Sequence, residues 1–128
     1  MSGSDPAPEA AQDGGLVVRV RREDGEVAVC GLAGELDLET KAPAAAAIDE
    51  LIAERPAVLV VDIAGVTFCD SSGLNLLLRA RTAAAGEGID FRLAHPSPAV
   101  ARVLQITGTD TVFTVLDDGD AVLRAASR

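Results

Sequence analysis

Two short stretches hold most of the residues whose types could do chemistry. One is Thr67-Phe68-Cys69-Asp70-Ser71-Ser72-Gly73-Leu74, which places an acid and two hydroxyls at one point of the chain; the other is Gly34-Glu35-Leu36-Asp37 with Thr40 close behind. A hydroxyl at the start of a helix lies among free backbone N–H groups at the positive end of the helix dipole, where a phosphate is stabilised. The same residue types are also the common helix caps, because their oxygens accept from those free N–H groups. Two readings of the stretch 70–73 therefore stand side by side. In one, Asp70 or Ser71 caps a helix and nothing further happens. In the other, Ser71 is modified, and the added charge of about −1.5 to −2 beside Asp70, Asp37 and Glu35 repels a docked acidic partner and blocks close contact.

The other candidates for chemistry are few. There is one histidine, His95, in His95-Pro96-Ser97-Pro98, and Gly-x-Ser-x-Gly is absent, which argues against a serine hydrolase. One histidine with two distant cysteines gives no metal-ligand set. Lys41 is the sole lysine and no phosphate-binding Gly-Lys-Ser/Thr loop is present, which removes nucleotide hydrolysis of that type. A receiver domain phosphorylated on aspartate needs an acid pair after its first strand and a late lysine, and neither is present. No catalytic residue, metal or cofactor is expected.

The elements that must position these residues can be read from periodicity. Val58-Leu59-Val60-Val61-Asp62-Ile63 is an apolar, β-branched run suited to a strand buried on both faces. After it, Leu74, Leu77 and Leu78 recur at helical spacing, with Asn75, Arg79 and Thr82 on the other side, and Gly86-Glu87-Gly88 ends the helix. Leu16 to Arg22 and Val27 to Ala33 form a hairpin about Glu23-Asp24-Gly25. Ala44, Ile48, Leu51 and Ile52 mark a first helix, capped by Thr40 or a neighbour, with Pro43 in its first turn and Pro56 closing it. Phe91 to Ala94 is a short strand. Ser97-Pro98 starts a third helix, which Gly108 stops; Val112 to Val115 is the last strand; and Asp117-Asp118-Gly119-Asp120 opens a final helix reaching Ala126.

This order predicts an α/β domain over 15–128 with a mixed, mostly parallel sheet of about five strands and about four helices, preceded by a disordered tail over 1–14. The loops after the second, third and fourth strands then leave at one edge of the sheet, the edge where open α/β sheets place their sites. Glu35, Asp37 and Thr40, then Asp70, Ser71 and Ser72, then His95 and Ser97 are expected to cluster there.

Composition narrows the partners. The formal charge is −9, and only three of the twenty acids lie in the tail, so the body of the domain repels phosphate backbones and anionic lipid. Neither nucleic acid nor membrane insertion is expected; no apolar run approaches the ~18 residues of a span. The three aromatics, all Phe, supply no stacking platform. Cys30 and Cys69, in a chain with no secretory signal pattern, read as free thiols in a reducing cytoplasm, with Cys69 a small buried hydrophobe.

The ordered set Gly34-Glu35-Leu36-Asp37 with Thr40, Phe68-x-Asp70-Ser71-Ser72-Gly73-Leu74, Ser97-Pro98-Ala99-Val100-x-Arg102-Val103-Leu104, Thr107-Gly108 and Val112-Phe113 resembles the STAS domain of bacterial anti-sigma factor antagonists over residues 16 to 127. The resemblance implies a non-enzymatic, cytoplasmic phosphoprotein that acts by partner switching in transcription regulation. Its unphosphorylated form binds an anti-sigma factor serine kinase of the histidine-kinase-like ATPase class and so frees a sigma factor. Phosphorylation at Ser71 ends binding, and a phosphatase restores it. Glu35, Asp37, Thr40, Asp70, Ser72, Gly73 and Asn75 become the partner-binding set, with Asp37→Ala expected to impair binding at little cost in stability. Two alternatives from other classes are a STAS regulatory subunit of a membrane transport complex and a scaffold in a stress-sensing assembly. The chain departs from the family pattern in Lys41-Ala42-Pro43, where a proline falls early in the first helix.

Overall fold

The computed structural model describes residues 11–13, 15–23 and 26–116. In chain order the elements are β1 (Ala11–Asp13), β2 (Leu16–Glu23), β3 (Val27–Leu36), α1 (Lys41–Ala53), β4 (Val58–Cys69), α2 (Ser71–Gly86), β5 (Asp90–Ala94), α3 (Pro98–Thr107), a 3-10 turn (Thr109–Thr111) and β6 (Val115–Leu116). They form one six-stranded sheet in sequential order. The pairs β1–β2 and β2–β3 are antiparallel and the rest are parallel.

Sequential order with parallel pairing has a geometric consequence. Three right-handed crossovers that all step the same way must put their helices on the same face of the sheet. Accordingly Ile48 and Leu51 of α1, Leu74 and Leu77 of α2, and Val100 and Leu104 of α3 share one core with Ala28, Cys30 and Leu32 of β3, Leu59, Val61 and Ile63 of β4, and Leu93 of β5. The alternate strand residues point the other way, where Val27, Val29, Val60 and Ala94 form a second, smaller buried cluster.

Several expectations are corrected here. Residues 11–13, read as part of a disordered tail, form β1, which pairs with β2 through Ala11–Val18 to Asp13–Leu16; the free edge of β2 offers backbone partners that no local pattern reveals. The strand expected over Val58–Ile63 continues to Cys69, its register against β3 slipping between Gly31 and Ala33 and between Gly34 and Glu35. Such irregularities let β4 run on past the β-branched run. The last strand is Val115–Leu116 rather than Val112–Val115, because Phe113 turns into the core against Phe91, with ring centroids 6.4 Å apart. Three α-helices lie among the described residues; the fourth, expected over 117–126, lies outside them.

Candidate functional site

The site is assembled where β3 and β4 end side by side. Register pairs Glu35 with Phe68 and Leu36 with Cys69, so the loop from Asp37 to Thr40 lies beside the start of α2. At Gly34 the chain has φ +109°, and a Cβ there would run into the Gly15 carbonyl, so glycine is required for the close approach. The Glu35 N–H donates to that same carbonyl oxygen at 3.0 Å.

At the start of α2 the choice between Asp70 and Ser71 as cap is resolved. Asp70 is the N-cap, with extended backbone (φ −106°, ψ −169°), and its Oδ1 accepts from the Gly73 N–H at 3.0 Å. Ser71 is the first residue of the helix, exposed, and its hydroxyl has no hydrogen-bond partner among the described residues. With Asp70 occupying Gly73, the Ser71 and Ser72 N–H groups remain the free donors of the first turn. Gly73 holds this turn against the end of β3: a Cβ there would meet the Leu36 carbonyl oxygen at 2.6 Å and the Cys69 sulfur at 2.9 Å. The two motifs of the sequence are therefore in van der Waals contact through Gly73.

Asp37 and Thr40 are engaged differently from expectation. Asp37 Oδ1 accepts from the Glu39 N–H at 3.0 Å and the Thr40 N–H at 3.1 Å. The buried Thr40 hydroxyl donates to the Glu35 carbonyl oxygen at 2.6 Å and accepts from the Asp37 N–H at 3.1 Å. Both side chains fold their own loop, as Asp and Thr do when their oxygens satisfy nearby backbone. This bonding contradicts the expectation that Asp37→Ala costs little stability. Glu35 and Asn75 are exposed and Ser72 half-buried.

Two surface features of this edge escaped the sequence reading. Leu38 and Phe68 are large apolar side chains left 66% and 49% exposed. They flank the paired strand ends, and the only hint in the sequence is that each follows a buried residue one or two positions away. A groove of about 300 Å³ runs between α1 and α2, lined among others by Lys41, Ile48, Asn75, Leu76 and Arg79. Its lining carries Lys41 and Arg79 together with the acid Asp49.

His95 and Ser97 are not part of the cluster. Ala94 at the end of β5 pairs with Asp62, whereas Leu36 of β3 pairs with Cys69, so β4 extends seven residues beyond β5. At about 3.3 Å per residue this separates the β5–α3 loop from Asp70 by roughly 20 Å along the strand. His95 instead lies with Nδ1 3.9 Å from Asp62 Oδ2, and buried Ser97 caps α3 by accepting from the Val100 N–H at 3.3 Å. A shared sheet edge was the right inference for the first two loops only.

The thiols are unreactive in character. Burial pushes the Cys30 thiol up to about 12; burial, with the Asp70 charge second, pushes Cys69 up to about 11. A thiol held neutral is a poor nucleophile. No helix among the described residues is long and apolar enough to cross a membrane.

The structure is thus an α/β domain with an exposed serine at the head of a helix, beside a second acidic loop. The sequence model described as Mlab, STAS domain matches residues 19–117, and the chain belongs to the STAS domain family. The anti-sigma-F factor antagonist RsfB of Mycobacterium tuberculosis is 34% identical over 98 residues, covering 77% of this chain and 79% of that protein. The crystal structure of an anti-sigma factor antagonist from Mycobacterium paratuberculosis superposes with a TM-score of 0.76 at 31% identity, covering 95% of this chain and 98% of the other. Bacillus SpoIIAA in its phosphorylated form shares the fold with a TM-score of 0.66 at 24% identity, covering 84% of this chain and 98% of the other.

Proposed function

We propose that this chain is an anti-sigma factor antagonist controlled at Ser71. Its unphosphorylated form binds an anti-sigma factor that is also a serine kinase, freeing a sigma factor in the cytoplasm, and phosphorylation of Ser71 ends the complex until a phosphatase removes the group. The observation that carries this reading is the division of labour at the head of α2. Asp70 does the capping, so the Ser71 hydroxyl is exposed with no bond to break before it reacts. In the reaction Ser71 Oγ attacks the terminal phosphorus of the partner's ATP; an O–P bond forms, the bond to ADP breaks and the hydroxyl proton is lost. The chain is substrate, and the nucleotide and its metal belong to the partner.

Within the partner-binding set the geometry suggests two kinds of contribution. Glu35, Ser72 and Asn75, with Leu38 and Phe68, supply accessible surface. Asp37, Thr40, Asp70 and Gly73 hold that surface in shape. Phosphate adds about −1.5 to −2 charges at an edge already bearing Glu35, Asp37 and Asp70. The free N–H groups stabilise it on this chain while an acidic, close-packed partner surface is driven off. The support from relatives is that RsfB, at 34% identity, is an anti-sigma-F factor antagonist.

The test is a pull-down from native lysate with wild type, Ser71→Ala and Ser71→Asp as baits. Recovery of a histidine-kinase-like ATPase by the first two and its loss with the third is the expected result. Identical recovery by all three, or recovery of a membrane transport ATPase, would refute the switch.

A further inference from the structure

The groove between α1 and α2 carries its charges unevenly along its length. Both helices leave the sheet edge where Leu36 pairs with Cys69, α1 from Lys41 and α2 from Ser71, and each connects two parallel strands, so they run side by side in one direction. Position along one helix can therefore be read against position along the other. Asp49 is eight residues from Lys41 and Arg79 eight residues from Ser71, about 12 Å in each case, and these two line the far part of the groove with opposite charges. At the near end Lys41 lines the groove together with Asn75. Asn75 is four residues on from Ser71, so the two share one face of α2 with their Cβ atoms about 5–6 Å apart. Asp49 is the one acid among the described lining residues, and Lys41 makes no ion pair among the described residues.

We infer that Lys41 is the counter-charge for a phosphate on Ser71, pairing with it across the head of the groove. The inference rests on the reading of Ser71 as the modified residue and adds how the modified state is held. Lysine suits the task, because its ammonium is a compact charge on a flexible four-carbon stem and can follow a group that is present in one state only. Lys41 is half-buried beside α2, and Ser71 is exposed with no hydrogen bond to hold its side chain elsewhere. The other charges at this edge are acids. Asp70 and Asp37 accept from backbone N–H groups, and Glu35 and Glu39 are exposed. Lys41 is the sole cation of α1, and the cations of α2, Arg79 and Arg81, lie two or more turns along from Ser71. Pairing with Lys41 lays the phosphate over Asn75. Phosphorylation then closes the head of the groove to a partner as well as adding charge.

Phosphorus NMR on the full-length chain, with phosphoserine installed at position 71 during translation, tests this. A nearby cation favours the dianion and so lowers the second pKa of the phosphate from its ordinary value of about 6. The expected result is a second pKa about half a unit higher in Lys41→Met than in the Lys41 protein, the effect of one charge about 6 Å away through water. Lys41→Arg should keep the lower value, and Arg79→Met should change it little. Asp70, Asp37, Glu35 and Glu39 raise the value alike in every variant, so the difference isolates Lys41. Equal values with Lys41 and with Lys41→Met would overturn the inference and leave the phosphate to the N–H groups of the first turn. A rise in Arg79→Met as large as that in Lys41→Met would overturn it as well, showing a diffuse field in place of a pair. Because the phosphate is placed without a kinase, either failure refutes the role of Lys41 alone; whether Ser71 is the switch is decided by the pull-down.

Discussion

Gly73 gives the sharpest test of how the site is built, because two opposing effects of one substitution can be weighed. Replacing a helical glycine by alanine ordinarily stabilises by about 0.5–1 kcal/mol, by lowering the entropy of the unfolded chain and adding helix propensity. At Gly73 the new Cβ would sit 2.6 Å from the Leu36 carbonyl oxygen, 2.9 Å from the Cys69 sulfur and 3.0 Å from Leu36 Cγ. The first of these is backbone in a central strand, so relief requires the head of α2 to move off β3. Overpacking of this kind costs roughly 1–3 kcal/mol. The packing term wins, leaving a net loss of about 1–2 kcal/mol. At about 3–5 °C per kcal/mol for a domain of this size, Gly73→Ala should melt roughly 5 °C below wild type. Gly86, in the same helix, has nothing within 4 Å of its Cβ position, so Gly86→Ala should raise the melting temperature by about 2 °C. Differential scanning calorimetry on the pair decides the matter. If Gly73→Ala is as stabilising as Gly86→Ala, the contact with Leu36 does not exist and the account of how the two motifs meet is wrong.

The remaining predictions concern the caps and the thiols. Asp70→Ala should destabilise by about 1 kcal/mol through loss of the Gly73 bond, and Asp70→Asn by much less, since the amide oxygen still accepts. Ser71→Ala should leave the melting temperature unchanged, its hydroxyl having no partner. Asp37→Ala should cost about 1 kcal/mol because Oδ1 accepts from two loop N–H groups, and Asp37→Asn should restore stability while still lowering partner affinity if the charge is what the partner reads. Both thiols titrate higher in the folded protein than in the unfolded chain, at about 12 for Cys30 and about 11 for Cys69. The unfolded state therefore loses these protons first, so stability is intact below about pH 8.5 and falls as pH rises from there toward 11. Alkylation by iodoacetamide at pH 8 should be slow in the native protein and fast in denaturant, and equal rates would show the thiols accessible.

Much of the site was legible because its parts are local. Ser97-Pro98 states a helix start in two residues, and Ser97 caps α3 as read. The glycine at the end of α3 is left-handed, at φ +75°, as a stop signal should be. The alternation of strands and helices fixed the class of sheet and brought Asp37 and Asp70 to one edge. Other parts were illegible because they depend on distant partners. Nothing in Ala11 to Asp13 announces a strand; pairing with β2 creates it. The separation of His95 and Ser97 from Ser71 was illegible because it depends on pairing: β5 ends level with Asp62 while β4 runs on to Cys69.

The sequence by itself determined which residues could cap, turn or be modified, since those properties rest on side-chain chemistry and on hydrogen bonds three residues apart. The tertiary structure alone decided which of two adjacent candidates does which task. Asp70 takes the cap because the end of β3 fixes Gly73 beneath it, and Ser71 is left outward on the first turn with its hydroxyl free. That assignment needs the Leu36 carbonyl to meet a glycine 37 positions later, a contact set by strand pairing and by no pattern along the chain.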